Sequence, residues 1–147
     1  MTKKLAVLLI VAVCCTVGVF GQAKKSRFDP DGSFWINGGA PEGFLDFSGI
    51  NLNAKRVRRL PPSGVQITSG KSFRFKTLSV KQASFTFTTV AVSNISYSFS
   101  GKFLKGGVFE TAGLDDETPV LEGVLIKYKG SQKVAEAKLK FVYFGGT

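Results

Sequence analysis

The sequence predicts an all-β fold, an antiparallel β-sandwich with a small closed β-barrel as the alternative. Three observations lead to this class. Apolar and aromatic residues alternate with polar ones over many short stretches, and turn-forming residues separate those stretches. No apolar stretch after residue 23 keeps the 3.6-residue period of an amphipathic helix for long. Many short strands joined by turns build sandwiches and barrels, and the short, irregular early strands favour the sandwich.

The period-two pattern is clearest in the stretch from residue 95 to residue 103. Ile95, Tyr97, Phe99, Gly101 and Phe103 alternate there with serine and lysine. Because successive side chains of a strand point to opposite faces, the pattern predicts one buried and one solvated face. Applied along the chain, it predicts strands at 33–36, 44–48, 64–68, 72–80, 84–92, 95–104, 120–128 and 133–144.

The last two predicted strands form a hairpin. Gly130-Ser131 separates them, and a two-residue Gly-Ser link is a hairpin signal. Residues equidistant from this turn then pair, so Ile126 is predicted opposite Ala135, and Val124 opposite Ala137. The inward face of the last strand continues through leucine and aromatic residues, and the outward face of the hairpin carries lysine and glutamate, among them Lys127.

This pairing would place Glu122 inside the sheet, opposite Leu139. An unpaired buried carboxylate is costly, and a glycine inside a strand often marks a bulge. The sequence therefore predicts a bulge at Gly123 that turns Glu122 outward and leaves Leu121 inside.

The first 23 residues have the three parts of a secretion signal. Lys3 and Lys4 form its basic start, residues 5–20 are apolar or small, and Gly21-Gln22-Ala23 supplies small residues at positions −3 and −1. As a helix, the apolar run is about 24 Å long, short of the roughly 30 Å hydrocarbon core. We therefore expect cleavage after Ala23 and export to the periplasm or extracellular space. The mature chain, residues 24–147, is predicted to be a single domain without a transmembrane span.

Cysteine and histidine are absent from the predicted mature chain. Both cysteines, Cys14 and Cys15, lie within the signal, and the chain has no histidine. A lipid-modified Cys14 is the alternative to simple cleavage, although the bulky Val13 before it fits that alternative poorly. Ser-His-Asp triads, Cys-His dyads and His- or Cys-based zinc sites are thereby excluded from the mature chain. We expect no cofactor and no enzymatic activity; a hydrolase that uses carboxylates alone is an open alternative.

Two acidic clusters are weak calcium candidates. Asp29 and Asp31 begin a segment that resembles a calcium loop, but position twelve of an EF-hand would be Ala40 instead of glutamate. The Pro-Asp-Gly within this segment is typical of a turn. Asp115 and Asp116 form the second cluster, in a long connection where acidic residues are ordinarily solvated. The sequence predicts turns here, and no metal site.

The strongest local functional signal is a cluster of cations. Lys55, Arg56, Arg58 and Arg59 lie within five residues and precede a Pro-Pro pair. Arginine binds phosphate, sulfate or carboxylate groups bidentately, so the cluster is a candidate anion site. The alternative is a charged edge strand that prevents unwanted pairing. The net charge of +10 for the whole chain also favours an anionic partner.

Trp35 is the candidate for ligand stacking. It lies in a Gly/Pro-rich segment, where an exposed ring could stack on a sugar; the alternative is a lid over one end of the sheet. Together these features predict an exported binding or scaffolding module that contacts an anionic envelope or extracellular polymer or glycan. No specific nucleic-acid recognition is expected. A calyx-type barrel that carries an apolar small molecule is the alternative function.

Overall fold

A computed structural model describes residues 30–52, 63–104, 109 and 117–144. These residues form eight strands, in agreement with the predicted number. The strands are β1 (Gly32–Ile36), β2 (Phe47–Leu52), β3 (Gly64–Ile67), β4 (Ser72–Lys81), β5 (Ser84–Thr89), β6 (Ile95–Phe103), β7 (Pro119–Lys129) and β8 (Gln132–Phe144).

Six of the predicted strands agree with the structure to within one residue at each end, and two differ by more. The predicted strand 44–48 begins too early, because the N–H of Phe44 donates to the carbonyl of Pro41 and that of Phe47 to Phe44, which folds this stretch into turns. The predicted strand 84–92 is too long. Strand β5 ends at Thr89, and Val92 forms an isolated bridge with Ile95 across a tight turn.

The sheet closes into an eight-stranded antiparallel barrel in which every strand neighbours the next along the chain. Strand β1 completes the closure: Phe34 lies opposite Ile50 of β2 on one side and opposite Tyr143 of β8 on the other. The expectation of a sandwich is therefore wrong, and the barrel alternative is confirmed. Although β1 is short, its four partner positions on each side are enough to join both edges, and closure removes free sheet edges.

The strand directions define two ends of the barrel. Four strands, β1, β3, β5 and β7, terminate at the same end of the barrel, and the strands that follow them begin there. We call this end the mouth. Its connections are residues 37–46, 68–71, 90–94 and 130–131. The remaining connections lie at the opposite end, with the start of β1 and the end of β8.

Aromatic rings fill the interior of the described barrel. Rings from non-adjacent strands meet across it: Phe99 lies 5.7 Å from Phe141, and Phe141 lies 6.3 Å from Phe47, between ring centroids. Tilted and edge-to-face contacts at such distances are favourable beyond simple burial. Many residues that the period-two pattern places on inward faces are buried: Phe85, Phe87, Tyr97, Phe99, Phe103, Leu139 and Phe141. Ala91, which the same pattern places inward, lies beyond the end of β5 and is exposed.

Two glycines make room for one of these rings. Gly101 of β6 and Gly123 of β7 are paired positions of the ladder. A Cβ atom at Gly123 would lie 2.5 Å from Cζ of Phe99, and one at Gly101 would lie 2.6 Å from the same atom. The Phe99 ring thus lies over both glycines. The glycine at position 123 therefore makes room for the Phe99 ring. The bulge that the sequence predicts at Gly123 is not found, because the pairing runs through this residue without a shift.

The bulge between β7 and β8 lies close to the turn. Tyr128 pairs with Lys133 as predicted, but the register then shifts, and Lys127 pairs with Ala135. The predicted pairs of Ile126 with Ala135 and of Val124 with Ala137 are therefore wrong. One extra residue in β8 moves the following pairs by one position as far as Leu121, where a second shift restores the register. Lys127, Leu125, Gly123 and Leu121 therefore share the inward face of β7.

The shifted register produces the orientation expected for Glu122. Leu121 is fully buried, whereas Glu122 faces outward and its carboxylate lies 3.4 Å from Nζ of Lys102. The predicted orientation of both residues is confirmed, although the bulge lies elsewhere. The same shift places Lys127 on the inward face at the mouth, contrary to the sequence prediction of an outward lysine.

Candidate functional site

Lys127 reaches from the inward face of β7 to the loop between β1 and β2. Its Nζ donates to the Asp46 carboxylate, with distances of 2.9 and 3.1 Å to the two oxygens, and to the Gly43 carbonyl at 3.4 Å. The Lys127 side chain is only 17% exposed, so this ion pair is screened less by solvent than a surface pair. It ties the loop of residues 37–46 to the barrel wall.

Tyr97 lies next to this ion pair, within the barrel. Nζ of Lys127 is 5.9 Å from the Tyr97 ring centroid, within the range of a cation–π contact. Tyr97 is 1% exposed, and its hydroxyl has no hydrogen-bond partner within the described part of the chain. Burial raises the pKa of Tyr97, and the nearby Asp46 carboxylate raises it further. An unpartnered buried hydroxyl is rare because it costs free energy.

The mouth holds a small cleft beside these groups, which we call the mouth cleft. Its volume is about 140 Å³. Its polar lining consists of Asp46, Lys127, Lys71 and Ser93, from three different strand connections and β7. Its apolar lining consists of Ile67, Phe73, Val92 and Ile95. The cleft therefore combines an apolar wall with two ammonium groups and one carboxylate.

A second candidate surface lies on the outer wall, where Trp35 stacks on Phe144. The two ring centroids are 4.3 Å apart with an interplanar angle of 16°. Trp35 is 46% exposed and Phe144 is 41% exposed. Trp35 pairs with Val142 on one side and with Gly49 on the other. A Cβ atom at Gly49 would lie 3.0 Å from Cδ1 of Trp35, so glycine leaves room for the indole ring. We call Trp35 and Phe144 the aromatic platform.

The structure thus places Trp35 on the outer surface of the barrel. It does not form a lid over a sheet end, because its ring lies against β8 and β2. Phe144 has no distinguishing sequence signal. It reaches Trp35 only because β1 pairs with β8 when the barrel closes.

Lysines continue from the aromatic platform around the outer wall. Asn37, two residues beyond Trp35, donates its N–H to the Lys140 carbonyl. From Lys140, one row of paired positions crosses Glu122, Lys102 and Ser84 and ends at Lys81. We call Lys140, Lys102 and Lys81 the lysine row. Successive members of the row, on β8, β6 and β4, are two strands apart, so the backbones of neighbouring members are roughly 10 Å from each other.

The other predicted site residues have different outcomes. Lys55, Arg56, Arg58 and Arg59 lie outside the described residues, as do Asp29, Asp115 and Asp116. Asp31 is described and directly precedes β1. The described residues contain no group of three or more acidic side chains placed to hold a metal ion.

The described part of the chain contains no helix that is long and apolar enough to cross a membrane. Comparison of the sequence and structure with protein-family models, curated proteins and solved structures finds no match.

Proposed function

We propose that the protein is an exported module that binds an acidic polysaccharide on the outer wall of the barrel. In this proposal a sugar ring packs on the aromatic platform, and the lysine row holds the anionic groups of the chain. The observation that carries the proposal is the exposed stack of Trp35 on Phe144. The other described phenylalanine and tyrosine rings are buried or partly buried.

Stacking on such a platform is favourable for two reasons. One face of a sugar ring presents C–H groups, and an aromatic ring gives them a large, rigid apolar contact area. Phe144 already supports the indole ring of Trp35 at 4.3 Å. The ring therefore loses little conformational freedom when it binds a ligand, and less of the binding energy is spent on ordering it.

The charge distribution supports an acidic ligand. The whole chain carries a net charge of +10, which attracts polyanions over long range. In the lysine row, Lys102 contacts Glu122 at 3.4 Å, whereas Lys81 and Lys140 are exposed and form no ion pair within the described barrel. The cation cluster of residues 55–59 would add to this attraction and remains a prediction.

The two alternatives have less support. The described barrel interior is filled by aromatic rings, and the mouth cleft of about 140 Å³ is smaller than the roughly 300–1,000 Å³ of typical ligand pockets; neither favours a calyx-type carrier. Asp46 and Glu122 each form an ion pair with a lysine, which does not favour a carboxylate-only hydrolase.

Affinity electrophoresis in gels that contain alginate, an acidic polysaccharide, tests the proposal. We expect Trp35→Ala to lower the apparent affinity at least tenfold, because it removes the stacking surface. The triple variant Lys81→Ser, Lys102→Ser, Lys140→Ser should lower it by a similar factor, and the loss should shrink as salt is added because exposed charges are screened.

The control is a second triple variant with the same net charge, in which Lys76, Lys129 and Lys133 become serine. These lysines lie outside the lysine row, so this control should retain most of the affinity. Circular dichroism confirms that each variant is folded. Unchanged binding by Trp35→Ala, or equal losses in the two triple variants, would overturn the proposal, since net charge alone would then explain binding.

A further inference from the structure

We propose that the mouth cleft is a separate binding site for a small apolar monocarboxylate. The polysaccharide surface, formed by the aromatic platform and the lysine row, lies on the outer wall, whereas the cleft opens at the mouth among other residues. The two sites share no lining residue, so this proposal stands independently of the proposed function.

The charges of the mouth cleft favour an anion. Lys71 and Lys127 contribute two positive charges, and Asp46 contributes one negative charge. The Asp46 carboxylate is already bound by Lys127, whereas Lys71 is exposed on the turn after β3 and forms no ion pair within the described residues. A ligand carboxylate is therefore expected to contact Lys71 first, in a site whose net charge is positive.

The size and the apolar walls of the cleft define the rest of the ligand. A volume of about 140 Å³ is close to that of an engineered apolar cavity of about 150 Å³ that binds benzene. Ile67, Phe73, Val92 and Ile95 supply apolar contacts on several sides. One aromatic ring or a short branched chain fits this space, and a long fatty-acid chain does not.

Tyr97 packs against two residues of the mouth cleft from inside the barrel. Its ring lies edge-on to Phe73, with centroids 5.0 Å apart, and under Nζ of Lys127 at 5.9 Å. Both of these neighbours line the mouth cleft. The Tyr97 hydroxyl is buried with no partner in the described chain. Tyr97 itself does not line the cleft, so the ligand carboxylate is expected at Lys71 and not at this hydroxyl.

Isothermal titration calorimetry of the full chain with benzoate tests the inference. Benzoate is expected to bind at one site, and benzamide, which has the same shape without the charge, at least tenfold more weakly. Lys71→Ser should weaken benzoate binding about tenfold, whereas Lys138→Ser, which removes an exposed lysine from the outer face of β8 away from the mouth, should leave it unchanged.

A steric variant and a cross-control complete the experiment. Ser93→Trp should block the cleft from an exposed turn position and abolish benzoate binding. Because Ser93 has a φ of 50°, circular dichroism is used to check that this variant is folded. Trp35→Ala should leave benzoate binding intact, so that failure of the polysaccharide proposal and failure of this one are distinguishable. Absent benzoate binding, equal binding of benzamide, or full affinity in both Lys71→Ser and Ser93→Trp would overturn the inference.

Discussion

The pair of glycines beneath Phe99 leads to a sharp prediction about packing. In Gly123→Ala, the added methyl group would lie 2.5 Å from Cζ of Phe99, 2.5 Å from the carbonyl oxygen of Ser100 and 2.6 Å from Cα of Gly101. Favourable contacts between carbon atoms lie at about 3.5–4.0 Å, so all three are too short by about 1 Å. Two of the three atoms belong to the β6 backbone, which the ladders to β5 and β7 hold in place.

The expected cost of Gly123→Ala is about 2–3 kcal/mol. Overpacking of a well-packed core typically costs about 1–3 kcal/mol, and the fixed backbone places this site in the upper part of that range. The free energy of unfolding is measured by urea denaturation, followed by far-ultraviolet circular dichroism. Lys138→Ala, on the outward face of β8, serves as the control and should change it by less than about 0.5 kcal/mol.

A double-mutant cycle identifies the ring as one cause of the clash. Phe99→Leu removes part of the ring that lies over Gly123, so the double variant should lose less stability than the sum of the two single variants. Residues in direct contact typically show coupling of about 0.5–3 kcal/mol. Additive losses, or a Gly123→Ala variant as stable as the native protein, would refute the role of Gly123 in making room for the Phe99 ring.

Three further predictions concern the core, the mouth and the N-terminus. Phe141→Ala should cost about 3–5 kcal/mol as a buried aromatic truncation and Lys140→Ala less than about 0.5 kcal/mol; similar losses in chemical denaturation would contradict the assigned faces. Tyr97→Phe should be at least as stable as the native protein at pH 7, because it removes an unpartnered buried hydroxyl. Since burial raises the pKa of Tyr97 above its ordinary 10.0, the contribution of this residue to stability is fully present below pH 10 and is lost as the pH rises further. Tyr97→Phe lacks this loss, so urea midpoints that differ by a constant amount from pH 8 to pH 11 would contradict the burial argument. Mass spectrometry of the exported protein should find a chain that begins at Lys24, and an intact N-terminus or an acylated Cys14 would show otherwise.

The core residues that could be predicted from the sequence lie on strands with a clear alternation of apolar and polar residues. Tyr97, Phe99 and Phe103 are buried where the alternation in β6 places them, and Leu139 and Phe141 likewise in β8. Period two is a property of a single extended strand, since neighbouring side chains point to opposite faces whatever the strand pairs with. These inward positions therefore follow from the sequence without knowledge of the partner strands.

Pairing between strands was harder to predict, and β7 shows why. The turn at Gly130-Ser131 and the first pair, Tyr128 with Lys133, follow from local turn chemistry. One unpaired residue in β8 then exchanges the predicted inward and outward faces of β7, and no residue type in the sequence predicts that bulge. The predicted register differs from the observed one by a single position, and this difference places Lys127 on the inward face at the mouth.

The candidate sites depend most strongly on contacts between distant residues. Lys127 and Asp46 are 81 residues apart in the chain, and nothing near either residue predicts their contact. Trp35 could be selected from sequence as an unusual residue in a Gly/Pro-rich segment. Its partner Phe144 could not, because only the pairing of the first strand with the last brings the two rings together.

By itself, the sequence determined the all-β class, the number of strands and the inward residues of β5, β6 and β8. These depend on local alternation and turn chemistry. Only the tertiary structure decided that the sheet closes into a barrel, that Lys127 meets Asp46 over Tyr97, and that Trp35 stacks on Phe144. Closure and register depend on which distant strands pair, and a shift of one residue is enough to exchange the two faces of a strand.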